Sequence, residues 1–534
     1  MAEATSPGRE TPRLLPYAAA PNRREGRRQR RLITAFLCLF CLFYGMAFAF
    51  LAPFLMIYFA VPLATVGLLL IWALPDVLNP PVAFLEIFLF SFLIGLIAWP
   101  NYLALALPGM PWITIQRLTG FPLSILLLVC LSSSQKFRDQ LGATLKDTSI
   151  LPKFLAAFVV VQVLTIPFSH HPNISLDQVF VAQISWTAVF FVSAYVFLKP
   201  GRVTLMAAFL WALAIFVCVV GVLEWLQSRV LWSGHIPHFL KIEDPAVLRI
   251  LAGSRRSADG IYRVVSTFST ALGLGEYLAL IMPFVLQFIV GRYRFSVKLA
   301  AALSTPFIMF IVLVTGSRLG FIGCLISFTL YVGVWAVLRW RRLKGGLIAP
   351  AVLLSYPVFF ALAVASTFVS HQIRAKVWGN GPQAASDEGR KIQWAMGIPK
   401  ILGHPQGHGA GTSGDILGYI TETGVNTVDS FYLTIALDYG FLGIITYYGF
   451  VTAAMYIAGR EALIPHGRDR DYDFLAPIAI AIVNFMVIKS VFSQTENHPV
   501  IYMLVGALAA IVHRIRTDER GAVSRPTVVA AAPA

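Results

Sequence analysis

The sequence is poor in charged residues, and this scarcity excludes a broad class of proteins. Charged residues make up 13% of the 534 residues, whereas hydrophobic residues make up 57% and the mean hydropathy is +0.73. Soluble domains carry roughly a quarter charged residues, so an ordinary soluble protein is excluded. Several runs of about 20 residues carry no charge, as a helix crossing a ~30 Å hydrocarbon core requires. The sequence therefore predicts an integral membrane protein.

Cysteine is also scarce, and β-strand alternation is missing. The five cysteines all lie inside apolar runs, so neither a disulfide framework nor a zinc site is indicated: Cys38, Cys41, Cys130, Cys218 and Cys324. The weak alternation of an outer-membrane barrel is absent, so the fold class is all-α. His235 and His238 have a metal-like spacing, but Pro237 between them disfavours the helix that this would need. We therefore expect no metal and no cofactor.

The apolar runs predict a polytopic protein of about fourteen transmembrane helices. They lie at about 32–52, 53–73, 83–98, 118–131, 153–168, 178–198, 203–225, 268–290, 299–314, 319–338, 348–369, 431–458, 475–492 and 499–513. We predict a membrane domain over 32–513. Residues 1–31, ending in NRREGRRQRR, read as a disordered basic cytoplasmic arm, and 514–534 as a cytoplasmic tail.

The positions of Lys and Arg predict the orientation. Alternate short connections are basic, among them the one that holds Arg339, Arg341, Arg342 and Lys344. The positive-inside rule then places both termini in the cytoplasm and two long loops, about 226–262 and 370–430, in the periplasm. The net charge of +16 is explained mainly by this orientation. The arginines of the arm suit anionic lipid headgroups, with nucleic acid as the alternative; we expect no nucleic-acid partner.

Chemistry-bearing residues concentrate on the predicted outer face. The stretch from Ser386 to Gly443 holds Arg390, two histidines, a glycine-rich turn and Asp429. Arg318, in TGSRLGFIG, interrupts an apolar stretch, and an arginine at membrane depth indicates a functional site. Arginines of this kind suit a lipid-linked diphosphate, because the guanidinium group makes bidentate contacts with phosphate oxygens. The alternatives are a solvated connecting loop and arginines paired with Glu276, Asp387 or Asp415.

Four stretches resemble the O-antigen ligase and O-antigen polymerase superfamily of bacterial membrane glycosyltransferases. They are YRVVSTFSTALGLGEYLAL with Arg263, VTGSRLGFIG with Arg318, GRKIQWAMGIPKILGHPQGHGAG with Arg390, Trp394 and His404, and VDSFYLTIALDYGFLG with Tyr432. The resemblance implies glycan transfer from a polyprenyl diphosphate on the periplasmic side of the inner membrane, without metal or nucleotide sugar. Ligases of this family usually carry His-Asn where this chain has Asp429-Ser430.

The function we expect is therefore polymerisation of lipid-linked repeat units into exopolysaccharide or O-antigen. Ligation of a finished chain to lipid A-core is the alternative within the family, and a polyprenyl-glycan flippase is the alternative from another class. The expected partners are a polyprenyl-diphosphate-linked oligosaccharide donor, a glycan or lipid A-core acceptor, membrane lipids, a polysaccharide flippase and a chain-length regulator.

Roles follow for the candidate residues. Asp429 suits a general base, and Asp is also a preferred N-cap, so it could instead cap the helix that begins near Phe431. Arg318 and Arg390 would neutralise the diphosphate leaving group, and transfer would be inverting. The expected substrate-binding residues are Arg263, Arg318, Arg390, Trp394, Tyr432, His404 and His408. The HGAGTSG stretch would either cradle phosphate through backbone amides or form a plain flexible turn.

Overall fold

The computed structural model describes residues 56–77, 80–106, 112–242, 247–248, 251, 262–369, 384–420, 426–467 and 469–523. The predicted basic arm at 1–31, the first predicted span and residues 524–534 of the predicted tail lie outside the described residues. The chain divides into two compact units, Met1–Leu70 with Leu107–Met110, and Ile71–Ala106 with Pro111–Ala534. The helical bundle and the candidate site described below lie in the second unit.

Helices dominate the described residues, which confirms the all-α class. In chain order they are α1 (Met56–Trp72), α2 (Val82–Ala98), α3 (Ile115–Ser133), α4 (Gln135–Asp147), α5 (Ile150–Thr165), α6 (Pro172–Ala182), α7 (Ala188–Val196), α8 (Arg202–Gln227), α9 (Ala271–Val290), α10 (Phe295–Val314), α11 (Arg318–Arg342), α12 (Ile348–Val369), α13 (Ala384–Gly403), α14 (Ser413–Leu417), α15 (Phe431–Ala462), α16 (Leu475–Lys489) and α17 (His498–Val523).

Ten segments of the described chain are long and apolar enough to cross a membrane. They are Ile115–Ser133, Ile150–Phe168, Pro172–Val196, Arg202–Gln227, Ala271–Val290, Phe295–Val314, Arg318–Arg342, Phe431–Ala462, Arg470–Lys489 and His498–Arg520. Val82–Ala98 and Ile348–Phe359 are shorter apolar helices. The polytopic character is thus confirmed, and the count of fourteen stays a prediction. Several boundaries differ. The span expected at 178–198 begins at Pro172, because a π-helical turn joins α6 to α7, and the span expected at 499–513 continues to Arg520.

A small antiparallel sheet joins two connections. Its strands are β1 (Leu103–Leu105), β2 (Ile113–Thr114) and β3 (Leu240–Ile242), in the order β2-β1-β3. In its register Leu105 lies opposite Ile113 of β2 and Leu240 of β3. The connection between α2 and α3, which holds β1 and β2, has the composition of a membrane-interface loop. The connection after α8, which holds β3, is one of the two long loops. Pairing in the sheet gives hydrogen-bond partners to backbone N–H and C=O groups of these non-helical connections.

Helix α9 forms the centre of the described bundle. Apart from Glu276 and Gln287 it is apolar on all sides, and it is buried along almost its whole length, as expected for a helix surrounded by other helices. Its crossing with α11 is close because two glycines meet: a Cβ on Gly275 would lie 2.8 Å from the Ser317 side chain, and one on Gly320 would lie 2.9 Å from the Gly275 Cα. This packing places the turn before α11 directly on the start of α9.

The helices of the bundle begin or finish at one of its two ends, and we name each end after one of its residues. Helices α9, α11, α15 and α17 begin at the Asp429 end, where α8, α10 and α16 finish. The other end, the Arg342 end, holds the finish of α9 and α11 and the start of α16. Ion pairs hold the Arg342 end together, for example Arg514 with Asp471 at 2.7 Å. The candidate residues lie at the Asp429 end.

Candidate functional site

Asp429 lies immediately before α15 and faces an arginine of α13. Its Oδ2 is 3.9 Å from the Nε of Arg390, and both side chains are about a third exposed, at 33% and 30%. Its backbone N–H donates to the side chain of Gln393 at 2.8 Å. The N-cap residue of α15 is Ser430, and no side-chain cap hydrogen bond is found there among the described residues. The expected capping role of Asp429 is therefore not what the geometry shows.

The surroundings of Asp429 act on its acidity in opposite directions. Partial burial raises the pKa of the carboxyl group, whereas the Arg390 charge and hydrogen bonds with Gln393 and Thr427 lower it. Burial has the larger effect, and the pKa stands above its ordinary value. A carboxylate with a raised pKa is a stronger proton acceptor once ionised, which is the property that a general base needs.

Helix α13 carries the cationic and aromatic side chains of the expected site. The sequence indicates a helix start near Ser386, and the helix is confirmed, beginning at Ala384. Trp394 follows Arg390 by one helical turn and is 39% exposed. Lys400, further along, donates to the carbonyls of Ile416 and Leu417 at 2.6 and 2.9 Å. Lys400 thus holds the end of α14, while Trp394 presents its ring to the surroundings.

The glycine-rich stretch is fastened to α15 by a buried carboxylate. The Asp438 carboxylate accepts the N–H of Gly411 at 3.0 Å and of Ser413 at 2.8 Å, and the Asp438 carbonyl accepts the N–H of Gly409 at 2.9 Å. These amides are therefore engaged within the protein. The phosphate cradle considered for HGAGTSG, and the plain flexible turn, are both corrected: the stretch is a fixed loop bound to α15.

A break in α15 makes this attachment possible. Gly440 has φ 62° and ψ −159°, so the helical hydrogen-bond ladder is interrupted there. The carbonyl of Pro405 accepts the N–H of Phe441 at 3.0 Å, and a Cβ on Gly440 would lie 2.0 Å from the Pro405 oxygen. Only glycine fits this position. In the sequence analysis we missed the signal of this break. It is an aspartate, Asp438, two residues before a glycine, Gly440, inside an apolar helix.

The two candidate histidines differ in environment. His408 is buried, and its Nδ1 lies 3.0 Å from the Leu437 carbonyl. Because a carbonyl only accepts, Nδ1 carries the proton, and burial lowers the pKa of His408. The His404 ring is exposed and its centre lies 4.7 Å from that of His408. Tyr432 donates to the Met486 carbonyl at 3.1 Å and stacks on Tyr448, so its hydroxyl group serves packing.

Arg263 contacts the turn before α11, and Arg318 is the first residue of that helix. The Nε of Arg263 donates to the Thr315 carbonyl at 2.7 Å, and its Nη2 donates to the Gly316 carbonyl at 3.4 Å. Ser317 caps α11 by accepting the Gly320 N–H at 3.1 Å. Arg318 follows the cap and is exposed, and within the described residues it forms no hydrogen bond or ion pair. The structure therefore presents the Arg318 guanidinium group to the surroundings of the Asp429 end.

The acidic partners considered for these arginines are engaged elsewhere. Glu276 pairs with Lys489, and Asp415 accepts from Asn426 at 3.0 Å. The side chain of Asp387 lies outside the described residues. The acid that approaches Arg390 is Asp429 itself.

Sequence reasoning missed a buried charged cluster beside this site. The Lys489 Nζ lies 3.0 Å from a Glu276 carboxylate oxygen, both side chains are 0% exposed, and Asn497 donates to Glu276 at 2.9 Å. Glu496, which is partly buried, accepts the Ser269 N–H at 3.1 Å. We name Glu276, Lys489, Glu496 and Asn497 the buried cluster. The sequence shows only its separate members, a lysine that closes one apolar span and a glutamate inside another.

The buried cluster connects the two parts of the site. Lys489 lies 5.8 Å from the ring centre of Phe431, two residues after Asp429. Its partner Glu276 follows Gly275, which packs on Ser317 beside Arg318. The start of α15 and the turn before α11 are thus held by one set of interior contacts.

These features define a polytopic helical membrane protein with the exposed guanidinium group of Arg318, the partly exposed one of Arg390 and the Asp429 carboxylate at one end of its bundle. Residues 299–448 match the O-antigen ligase family, and this segment includes Arg318, Arg390 and Asp429. This match confirms the resemblance to the O-antigen ligase and polymerase superfamily over these residues, and it supports a role in glycan transfer at a bacterial inner membrane. No curated protein matches the chain. Arg263, Glu276 and Lys489 lie outside the matched segment.

Proposed function

We propose that the protein transfers glycan from a polyprenyl diphosphate on the periplasmic face, joining lipid-linked repeat units into exopolysaccharide or O-antigen. The observation that carries this proposal is the approach of Asp429 to Arg390, 3.9 Å apart, within the segment that matches the O-antigen ligase family. A proton acceptor stands next to a group that binds phosphate. Glycosyl transfer from a diphosphate needs both.

The chemistry follows from these two groups. A carboxylate oxygen of Asp429 takes the proton of the acceptor hydroxyl group, whose oxygen forms a bond to the anomeric carbon. The bond between this carbon and the diphosphate oxygen breaks, and the electron pair leaves with the diphosphate. Arg390 and Arg318 stabilise the negative charge that develops on the leaving group. Attack from the face opposite the diphosphate inverts the anomeric configuration.

The remaining candidate residues support this step. Arg263 holds the carbonyls of Thr315 and Gly316, so it positions the turn that presents Arg318. The exposed Trp394 and His404 offer a ring face and an imidazole group to the sugar rings of donor or acceptor. The donor is a polyprenyl-diphosphate-linked oligosaccharide, delivered by a polysaccharide flippase. The acceptor is a second glycan, with chain length set by a separate regulator.

Replacement of Asp429 by Asn tests the proposal. Asn keeps the size of the side chain but accepts no proton, so polymer formation should fall about 100-fold or more at unchanged membrane abundance. The matched control is Asp415→Asn, which changes an exposed aspartate that contacts Asn426. Single lipid-linked repeat units should accumulate in the Asp429 variant. Long carrier-linked chains would identify a ligase, absence of periplasmic donor would identify a flippase, and wild-type polymer yield would refute the role of Asp429.

The arginines and the orientation are tested separately. Arg390→Ala should lower transfer strongly, and Arg390→Lys should restore it poorly, because lysine lacks the planar fork. Lys391→Ala, which removes the neighbouring exposed cation that pairs with Glu388, is the control. A reporter fused after Thr412 should be periplasmic and one fused after Arg342 cytoplasmic. A cytoplasmic signal from Thr412 would place the site on the wrong side of the membrane for a periplasmic transfer.

A further inference from the structure

A cavity of about 550 Å³ lies at the Arg342 end, opposite Asp429. The final turns of α9, α11 and α15 and the start of the segment before α16 enclose it. Its charged lining comprises Arg292, Arg339, Arg342, Glu461, His466 and Asp473. The volume lies in the range of sites that hold a small ligand. None of these residues belongs to the proposed transfer site.

The acidic residues of the cavity have cationic partners of their own. Asp473 lies 3.7 Å from Arg292, and Glu461 lies 3.5 Å from His466 and 3.8 Å from Arg460. The ion pairs of Asp473 and Glu461 are therefore made without the two arginines that close α11, and the Arg342 charge also acts on Asp473.

Arg339 and Arg342 remain available to an anion. Both are exposed, and in the part of the chain that the structure describes neither forms a hydrogen bond or an ion pair. The guanidinium carbon of Arg339 lies 5.5 Å from the ring centre of Trp335, a contact that orients the side chain. The neighbouring Arg341 donates to the Leu463 carbonyl at 2.5 Å, which joins the end of α11 to the end of α15. Arg339 and Arg342 therefore stand on a cavity wall that these contacts hold in place.

The surface beside these arginines is apolar. Val290, Leu343 and Ile464 line the cavity and are 52%, 58% and 37% exposed. Trp335 lies among them, and tryptophan is typical of the interface between headgroups and hydrocarbon. A dissolved anion such as free phosphate would gain nothing from this apolar rim. A phosphate group that carries acyl chains would contact both parts.

We propose that this cavity binds the phosphate headgroup of an anionic phospholipid. Arg339 and Arg342 contact the phosphate oxygens, and Trp335 and Leu343 pack against the glycerol and the first acyl carbons. Basic pockets between transmembrane helices are a recognised form of anionic lipid site. The bound lipid would tie α11, which begins at Arg318, to α15, which begins after Asp429.

The test uses full-length protein purified in detergent and stripped of lipid, with short-chain phosphatidylglycerol and phosphatidylcholine as probes. Native mass spectrometry measures lipid retention, and a thermal unfolding scan measures stabilisation. Each arginine near an anionic lipid should contribute about a fivefold gain in binding, so Arg339→Gln with Arg342→Gln should weaken phosphatidylglycerol binding about 30-fold. Arg294→Gln, an exposed arginine at the same end outside the cavity, is the matched control.

The outcomes separate the proposal from its alternatives. Retained phosphatidylglycerol in wild type and in Arg294→Gln, lost in the double variant, supports the site. Equal weakening in the control and the double variant would reduce it to general surface charge. Equal stabilisation by inorganic phosphate would show a site for a free anion, and equal binding of phosphatidylcholine would show no selectivity for charge; each overturns the proposal. Because lipid retention is measured without the transfer reaction, this result does not depend on the proposed function.

Discussion

The pairing of Arg390 with Asp429 makes a specific prediction about pH. The proposed base must be ionised to accept a proton, so activity should fall on the acid side as Asp429 becomes protonated. The Arg390 charge lowers the pKa of Asp429, against the stronger effect of burial. Arg390→Gln removes this charge, and the pKa should then rise further. The acid limb of the residual activity should therefore move to higher pH.

The distance between the two groups sets the size of the effect. At 3.9 Å, two unit charges attract by about 1 kcal/mol in water and about 4 kcal/mol at an effective dielectric constant of 20. Both side chains are about a third exposed, at 30% and 33%, so solvent screening places the attraction near the lower value. An interaction of about 1 kcal/mol corresponds to roughly a fivefold change in an equilibrium constant.

Arg390→Lys serves as the comparison, because it keeps the charge and loses the planar fork. Transfer would be measured in proteoliposomes with lipid-linked donor, across the pH range in which carboxylates titrate. Both variants should lose activity at neutral pH, since both lose bidentate phosphate contacts. Only the Gln variant should show the displaced acid limb. Coincident acid limbs in the Gln and Lys variants would refute the electrostatic coupling of Arg390 to Asp429.

Three further predictions concern stability, each measured by thermal or denaturant unfolding of the purified protein in detergent. Gly440→Ala should unfold the protein or greatly destabilise it, because the added Cβ would lie 2.0 Å from the Pro405 oxygen. The control Gly459→Ala has open space around the added Cβ and should be neutral or stabilising. Similar stability of the two variants would contradict the fixed loop. Asp438→Ala should cost about 1.5–3 kcal/mol through its lost charge-assisted hydrogen bonds, and no loss would mean that the loop amides find other partners. Lys489→Met should lower the free energy of unfolding by about 3–5 kcal/mol, because it leaves the buried Glu276 carboxylate uncompensated. The double variant Lys489→Met with Glu276→Gln should recover most of this stability. A double variant as unstable as the single one would contradict the pairing.

Much of the fold was readable from the sequence. Membrane spanning follows from local composition, because the hydrocarbon core admits only segments whose backbone is satisfied internally. Ser386, followed by two acidic residues, indicates the start of the helix that carries Arg390 and Trp394. The candidate arginines and Asp429 were found because charge is rare in this chain, so each charged residue is conspicuous. The resemblance carried by the stretches around them was confirmed over residues 299–448.

The tertiary structure alone decided what these residues contact. The sequence left Asp429 as either base or helix cap, and the structure put Ser430 at the cap and turned Asp429 toward Arg390, because α13 packs against α15. The same packing let Asp438 take the loop amides that could have held phosphate. Lys489 and Glu276 are 213 residues apart, and no local pattern can indicate that they pair. Hydropathy is a property of each segment, whereas a hydrogen-bond or ion-pair partner is chosen only when distant segments meet.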